Sequence, residues 1–216
     1  MKTIAEIYTD YYIMPQLQIH MYRVAAVANL ICENFQINID RRSIISTCLL
    51  HDMGNIIKFD LTKFPEFNEP QGIEYWQMVK QNFIDKYGTD EHVATTEIAL
   101  EVGASLRALE LTNAIGFLKS VSVYESNEME KMICLYADMR VAPSGIVSLK
   151  DRLDDFDSRY AATSKVKTKK ELEDIRLALY SIEEKIFAYC NIKSNEITSI
   201  ACEPMLQVFE KNYVKP

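Results

Sequence analysis

The sequence predicts an all-α fold, a helical bundle followed by a C-terminal helical extension. Three observations carry this prediction. Apolar residues recur every three or four positions along most of the chain, and only six glycines and six prolines interrupt them in 216 residues. No two segments alternate apolar and polar residues as a hairpin would. The length suits one large domain, or one domain with an appendage.

Two helices are predicted before residue 54. Pro15 suits the first turn of a helix that runs to about Asn34. Asp40 is a favourable N-cap for a second helix, RRSIISTCLLHD, and we expect Gly54 to adopt the left-handed conformation just past its end. The connections are short, so these helices are expected to pack as neighbours in the bundle.

Four more helices are predicted before residue 145, after a loop at residues 58–72 that contains two prolines and several aromatic residues. The first runs from Ile73 to about Tyr87, and the second, DEHVATTEIALEVG, is capped by Thr89. The third runs from Ser105 to about Val121. The fourth, NEMEKMICLYADMR, is opened by a capping box Asn127-x-x-Glu130 and is ended by Pro143 and Gly145. The first predicted domain therefore spans residues 1–145, with a core that starts at about residue 13.

The composition changes after residue 145, and residues 146–216 are predicted to form the helical extension. KDRLDDFDSRY is typical of a charged, mostly exposed helix, and SKVKTKK of a polar linker. The helix ELEDIRLALYSIEEKIFAYC then carries an apolar stripe that we expect to pack on the core or on a second copy of the chain. Its members are Leu172, Ile175, Leu179, Ile182, Ile186 and Tyr189. A homodimer is therefore one open expectation.

The net charge and the cysteine content limit the classes of binding partner and the cellular compartment that we expect for this protein. A net charge of −7 argues against binding to a nucleic-acid polymer, which needs a basic surface. None of the five cysteines forms a C-x-x-C pair, as expected of reduced thiols in a cytoplasmic protein. The N-terminus MKTIAEIYTDYY lacks the apolar core of a signal peptide, and the longest apolar stretch, residues 24–32, is too short for a bilayer. We therefore expect a cytoplasmic protein without a membrane partner.

The histidines and two aspartates form the most informative pattern in the sequence. The chain has three histidines, and His51 is followed directly by Asp52 after an apolar run. His20 and Asp138 also lie in predicted helices, and imidazole and carboxylate groups from separate helices suit a divalent transition metal. Each residue alone has a simpler explanation, a hydrogen-bonded core histidine or an aspartate paired with Arg140. A purely structural bundle without a metal is thus a further hypothesis.

The ordered pattern resembles the HD-domain superfamily of metal-dependent phosphohydrolases. The matching segments are QLQIHMYRVAAVANLI, CLLHDMGNIIKF and MICLYADMRVAP, and the resemblance covers roughly residues 13–145. It implies an HD-domain helical bundle in which His20, His51, Asp52 and Asp138 bind a divalent ion, with Fe, Mn, Co, Mg and Zn all open. Such an ion lowers the pKa of a bound water, which can then attack phosphorus.

The third histidine, His92, lies where many relatives carry another histidine. The resemblance implies that it contacts a substrate phosphate or transfers a proton, so Asp52 and His92 are the predicted catalytic residues. A solvent-facing histidine beside Asp90 and Glu91 is the alternative. Dinuclear relatives use two additional histidines and this chain supplies one, so one metal is favoured, with a second metal kept open. Asn55 stands where many relatives carry lysine or glutamate, which leaves the general acid unassigned.

Phosphate recognition in an acidic chain requires local cations. Arg23 lies one turn beyond His20, and Lys58, Lys119 and Arg140 are further candidates, although an ordinary surface ion pair explains each equally well. The predicted function is a metal-dependent phosphohydrolase acting on a nucleotide or another small phosphate ester. The alternative is a regulatory or ligand-binding HD protein with little or no turnover.

Overall fold

The computed structural model describes residues 2–160 and 168–211, with side chains for residues 2–155 and 168–209, and it is predominantly helical, which confirms the all-α prediction. The helices are α1 (Ile4–Asp10), α2 (Pro15–Glu33), α3 (Arg41–Leu50), α4 (Ile73–Tyr87), α5 (Glu91–Glu101), α6 (Leu106–Thr112), α7 (Ser120–Ser126), α8 (Met129–Asp138), α9 (Leu149–Tyr160), α10 (Lys169–Phe187) and α11 (Ser199–Lys211). Short 3₁₀ turns cover Asn55–Lys58, Pro65–Asn68, Phe117–Lys119 and Ser194–Glu196. A small antiparallel hairpin pairs β1 (Val141–Ala142) with β2 (Gly145–Ile146).

Helix α2 lies at the centre of the bundle. Residues 24–28, two valines and three alanines, are completely buried. These small side chains let neighbouring helices approach closely, and α2 packs against α3, α8 and α11. Burying each valine side chain contributes about 1.5 to 3 kcal/mol, which fixes α2 in the core. The helices that carry the predicted metal ligands therefore meet along one central element.

The predicted starts of α2 and α3 are confirmed. Pro15 occupies the first turn of α2. The Asp40 carboxylate accepts hydrogen bonds from the backbone N–H of Ser43, at 3.0 Å, and from the Ser43 hydroxyl, at 2.6 Å. These bonds lower the pKa of Asp40, because they stabilise the ionised carboxylate.

The prediction for Gly54 is wrong, since its backbone is right-handed, with φ −91° and ψ −2°. Glycine is needed there for a different reason. A Cβ atom at this position would lie 2.5 Å from the carbonyl oxygen of Glu91 and 2.8 Å from the backbone nitrogen of Thr95. The backbone N–H of Gly54 also donates to Thr95 Oγ1 at 2.9 Å. The turn after α3 is therefore packed directly against α5.

Two predicted boundaries around α5 and α6 also need correction. Asp90, rather than Thr89, caps α5, and its carboxylate accepts from the backbone N–H groups of His92 and Val93. Ser105 begins α6 as predicted, but this helix ends at Thr112 instead of near residue 121. The chain then passes through Gly116, whose φ of +141° is accessible mainly to glycine, before α7 begins.

The start of α8 differs from the prediction as well. Asn127 is the left-handed C-cap of α7, with φ +57°, so it cannot also open the predicted capping box. Helix α8 instead begins after Glu128, which makes no side-chain cap hydrogen bond. The helix ends at Asp138, and the β1–β2 hairpin then turns at Pro143 and Ser144, where the sequence predicted only the end of a helix.

The apolar stripe of α10 packs on the core of the same chain. Ile175, Leu179, Ile182 and Ile186 are buried, and α10 contacts α7 and α8. At the end of the stripe, Tyr189 is 41% exposed. Helix α11 packs against α1 and α2. The extension and the bundle thus contact each other extensively, and the boundary at residue 145 stays a prediction.

Residues 164–167 of the predicted linker SKVKTKK lie outside the described residues. The last three residues of this segment form the start of α10, where Thr168 and Glu171 form a capping box. The five cysteines are free thiols, as predicted.

No helix in the described parts of the chain is both long and apolar enough to cross a membrane.

Candidate metal centre

Three helices bring four metal-ligand candidates together. His20 lies on α2, His51 and Asp52 follow the last residue of α3, and Asp138 is the last residue of α8. The Nε2 atoms of His20 and His51 are 3.3 Å apart. Asp138 Oδ1 lies 3.1 Å from His20 Nε2 and 3.6 Å from His51 Nε2. The Asp52 carboxylate lies 3.6 Å from His20 Nε2 and 3.7 Å from His51 Nε2.

These separations fit a divalent ion. Nitrogen and oxygen ligands lie about 2.1 Å from such an ion, so neighbouring ligand atoms are roughly 3.0 to 3.4 Å apart. The measured distances between imidazole nitrogens and carboxylate oxygens, 3.1 to 3.7 Å, are close to that range. The ligand atoms of His20, His51 and Asp52 all lie within 4.8 Å of one another. Two imidazoles with carboxylates are also the donor set that iron, manganese, cobalt and zinc accept.

The surroundings of His51 orient it as a ligand. Its Nδ1 lies 2.9 Å from the Cys48 carbonyl oxygen, which can only accept, so Nδ1 carries the hydrogen and Nε2 faces the cluster. Burial lowers the pKa of His51, but the Asp52 and Asp138 carboxylates outweigh it and raise this pKa to about 9. Burial raises the pKa of Asp138, yet His20 and His51 hold it well below its ordinary value. The cluster therefore favours a positive charge between its carboxylates.

The cluster forms one wall of a cavity of about 330 Å³. The ligand-binding cavities of proteins usually measure about 300 to 1,000 Å³, so this one suits a small molecule. Basic and aromatic side chains line the remaining walls, the basic ones being Arg23, Lys58, His92 and Arg152 and the aromatic ones Phe59, Phe67 and Phe117. The cavity thus combines a metal-ligand cluster with groups that suit a phosphate and an apolar moiety.

Three residues predicted to act on the substrate do line this cavity. Arg23 follows His20 by one helical turn, as the sequence indicated, and Lys58 ends the 3₁₀ turn after the His-Asp pair. The Lys58 ammonium lies 3.5 Å from Glu91 Oε1, so it is partly neutralised. The side chain of His92 is 61% exposed, and its Nε2 lies 3.8 Å from the same carboxylate oxygen.

Arg140 corrects the sequence prediction. It is 2% exposed, and its guanidinium donates to the carbonyl oxygens of Val147, Ser194 and Ile197 and to the Tyr136 hydroxyl. These bonds occupy the guanidinium inside the fold, so it neither pairs with Asp138 nor reaches the cavity. These hydrogen bonds connect the end of the β1–β2 hairpin to the segment between α10 and α11.

Lys119 also lies away from the predicted site. Its ammonium donates to the carbonyl oxygen of Asn113 at 2.7 Å, beside a separate surface depression. Burial lowers the pKa of Lys119. The local bond explains why this lysine is not directed at the metal-ligand cluster, although the chain places it only two residues beyond the cavity-lining Phe117.

Sequence reasoning missed several residues of the cavity, among them Arg152 and Phe117. Arg152 lies on α9, which the sequence predicted as a mostly exposed helix, yet its side chain is 16% exposed. Phe117 lies in a 3₁₀ turn that was predicted as helix. Trp76 lies away from the cavity, buried in the core, where its Nε1 donates to the Asn68 carbonyl oxygen. Only the spacing of Leu149 and Leu153 could have indicated a buried face on α9.

Fold and site together define a helical domain in which a candidate metal-ligand cluster lies beside a small cavity lined by basic side chains. A protein-family model described as HD domain matches residues 18–97, which contain His20, His51, Asp52 and His92. The match covers 80 of the 216 residues and supports an HD domain at residues 18–97. HD domains bind divalent metals and are generally hydrolytic. Comparisons with curated proteins and with solved structures gave no match. Asp138 and Arg152 lie beyond the matched segment.

Proposed function

We propose that the protein is a metal-dependent phosphohydrolase that acts on a nucleotide or another small phosphate ester. The observation that carries the proposal is the convergence of His20, His51, Asp52 and Asp138 in the wall of one cavity lined by further cations. In the proposed mechanism these four residues hold one divalent ion. When bound, the ion supplies a water of lowered pKa and polarises a phosphoryl oxygen.

The chain's own residues have distinct roles in this mechanism. Arg23 and Lys58 offset the negative charge of the phosphate within the acidic protein. Phe59 and Phe67 offer apolar surface to the base or sugar of a nucleotide. The hydrogen bond from His51 Nδ1 to the Cys48 carbonyl keeps Nε2 directed at the ligand cluster.

Proton transfer to the leaving group is assigned to His92. It lines the cavity, and an imidazole can donate a proton near neutral pH. Asn55 also lines the cavity, and its amide can hydrogen-bond to a substrate but cannot act as an acid. This asparagine favours the second candidate, a regulatory HD protein that binds a nucleotide without efficient turnover.

Metal-loaded protein assayed against a panel of nucleotides and simple phosphate esters tests the proposal. The metals are Mn, Fe, Co, Mg and Zn, supplied one at a time. Asp138→Asn and His51→Gln are expected to lose bound metal and at least about 100-fold in activity, because each removes a ligand. Asp154→Asn is the matched control, since it removes the same charge from an exposed carboxylate that pairs with Lys150.

Each alternative predicts a different result. Copurified metal at about one equivalent per chain with product formation supports the proposal, as does parallel loss of metal and activity in both ligand variants. Metal and nucleotide binding without product would favour the regulatory candidate. Protein that binds no metal would refute the metal centre and leave a structural bundle. Activity that survives in Asp138→Asn and His51→Gln would also overturn the mechanism.

A further inference from the structure

Arg152 brings a residue of the C-terminal extension into the metal-site cavity. It lies on α9, past the segment that the HD-domain family model matches. Leu149 and Leu153 are 2% and 0% exposed, so one face of α9 is fixed in the core beside β1. Because Arg152 adjoins that face, its side chain is held at the cavity wall instead of extending into solvent.

The hydrogen bonds of Arg152 are incomplete among the described residues. Its Nη1 donates to Asp155 Oδ2 at 3.1 Å, an i,i+3 pair on the same helix. The Nε atom is buried and has no hydrogen-bond partner in the part of the chain that the structure describes. An i,i+3 ion pair within one helix contributes only weakly to stability, whereas a buried guanidinium donor without an acceptor is costly. Pairing with Asp155 therefore does not account for the burial of this arginine.

An anion in the cavity would offer the Arg152 guanidinium acceptors in addition to Asp155. Phosphate oxygens suit the planar donor fork of a guanidinium, which can bind two of them at once. Arg23 and Lys58 line the same cavity, so a phosphate there would be approached by cations from three separate elements. A carboxylate would match the fork as well, but the metal-ligand cluster beside it suits a phosphate ester.

We propose that Arg152 binds a phosphate group of the substrate, so that the C-terminal extension completes the active site of the HD domain. This inference rests on the proposed phosphohydrolase function for the identity of the anion. It assigns α9 a role in substrate binding and leaves metal binding to the four ligands.

Binding of inorganic phosphate to metal-loaded protein, measured by calorimetry, tests the inference without requiring turnover. The variants are Arg152→Gln, which removes the charge, and Arg152→Lys, which keeps the charge but loses the fork. Lys150→Gln is the matched control, because Lys150 lies on the same helix and its side chain is 72% exposed. Metal content and thermal unfolding are measured on every variant.

We expect phosphate to bind Arg152→Gln at least about tenfold more weakly than wild type, Arg152→Lys to show an intermediate loss, and Lys150→Gln to bind normally. Asp155→Asn, which removes the competing carboxylate, is expected to bind phosphate more tightly. With a hydrolysed ester, Arg152→Gln should raise KM by a similar factor with metal content unchanged.

Equal phosphate affinity in wild type and Arg152→Gln would refute the inference, even if the enzyme hydrolyses phosphate esters. A weaker affinity in that variant supports it, and absence of turnover in wild type would then count against the proposed function alone. A wild-type protein that binds no phosphate at all would overturn the role of Arg152.

Discussion

Replacing Gly54 with alanine is expected to destabilise the protein and weaken its metal site. The added Cβ would lie 2.5 Å from the Glu91 carbonyl oxygen, 2.8 Å from Ala94 Cβ and 2.8 Å from the Thr95 nitrogen. Ordinary contact needs about 3.4 Å or more, so the turn and α5 must separate by roughly 0.5 to 1 Å. Two of the three atoms belong to the backbone, and a side-chain rotation therefore cannot relieve the contact.

Such overpacking costs about 2 kcal/mol, within the usual range of 1 to 3 kcal/mol. For a protein of this size, that lowers Tm by roughly 4 to 8 °C, which thermal unfolding followed by circular dichroism can measure. Asp52 lies two residues before Gly54, so displacement of the turn should also weaken metal binding, by about tenfold. Metal titration of the folded variant checks this second effect.

Gly88→Ala is the control for backbone strain. Gly88 has φ +85° and no atom within 4 Å of an added Cβ, whereas Gly54 has an ordinary φ and close contacts. We expect the control to lose about 1 to 3 kcal/mol of stability through backbone strain and to bind metal normally. A Tm for Gly54→Ala within about 1 °C of wild type would refute the steric reasoning. A lower Tm with unchanged metal affinity would refute the coupling to the metal site.

Two further predictions concern the N-cap of α3, Asp40, and the buried Arg140. Asp40→Ala removes the N-cap of α3 and should lower the free energy of unfolding by about 1 kcal/mol at pH 7. The pKa of Asp40 is lowered from 3.8 in the folded state, chiefly by Ser43, so this stabilisation is full above that value and is lost as the pH falls through the folded pKa. Urea unfolding at pH 7 and near pH 3 should therefore show a difference between variant and wild type that shrinks in acid. Arg140→Gln should cost about 3 kcal/mol, because three carbonyl oxygens lose a buried donor. Metal content should stay normal at low temperature, and a selective loss of activity without loss of stability would contradict this structural role.

The features that the sequence predicted correctly depend on local signals. Pro15 and Asp40 determine the starts of α2 and α3 through their own backbone and side-chain chemistry, with little help from distant residues. His20 and the His51–Asp52 pair were recognisable because their order and helical setting resemble a known family. Each of these signals lies within a few residues along the chain.

The features that were missed depend on tertiary contacts. The need for glycine at position 54 comes from α5, which lies about 40 residues later in the sequence and packs against the turn. Arg140 was predicted as one of the cations that bind a phosphate, but three of its acceptors belong to residues 147, 194 and 197. Arg152 was expected in solvent because α9 is rich in charge. In all three cases, local composition contains no information about the partner.

These tertiary contacts give the C-terminal extension a defined relation to the metal centre. Asp138, the candidate ligand beyond the matched segment, ends α8, and the buried stripe of α10 packs against that helix. Two residues later, Arg140 donates to carbonyl oxygens of the segment between α10 and α11. On the other side of the hairpin, α9 holds Arg152 at the cavity. The extension therefore packs behind Asp138 and holds Arg152 at the cavity wall, so the candidate site includes residues from outside the segment that the family model matches.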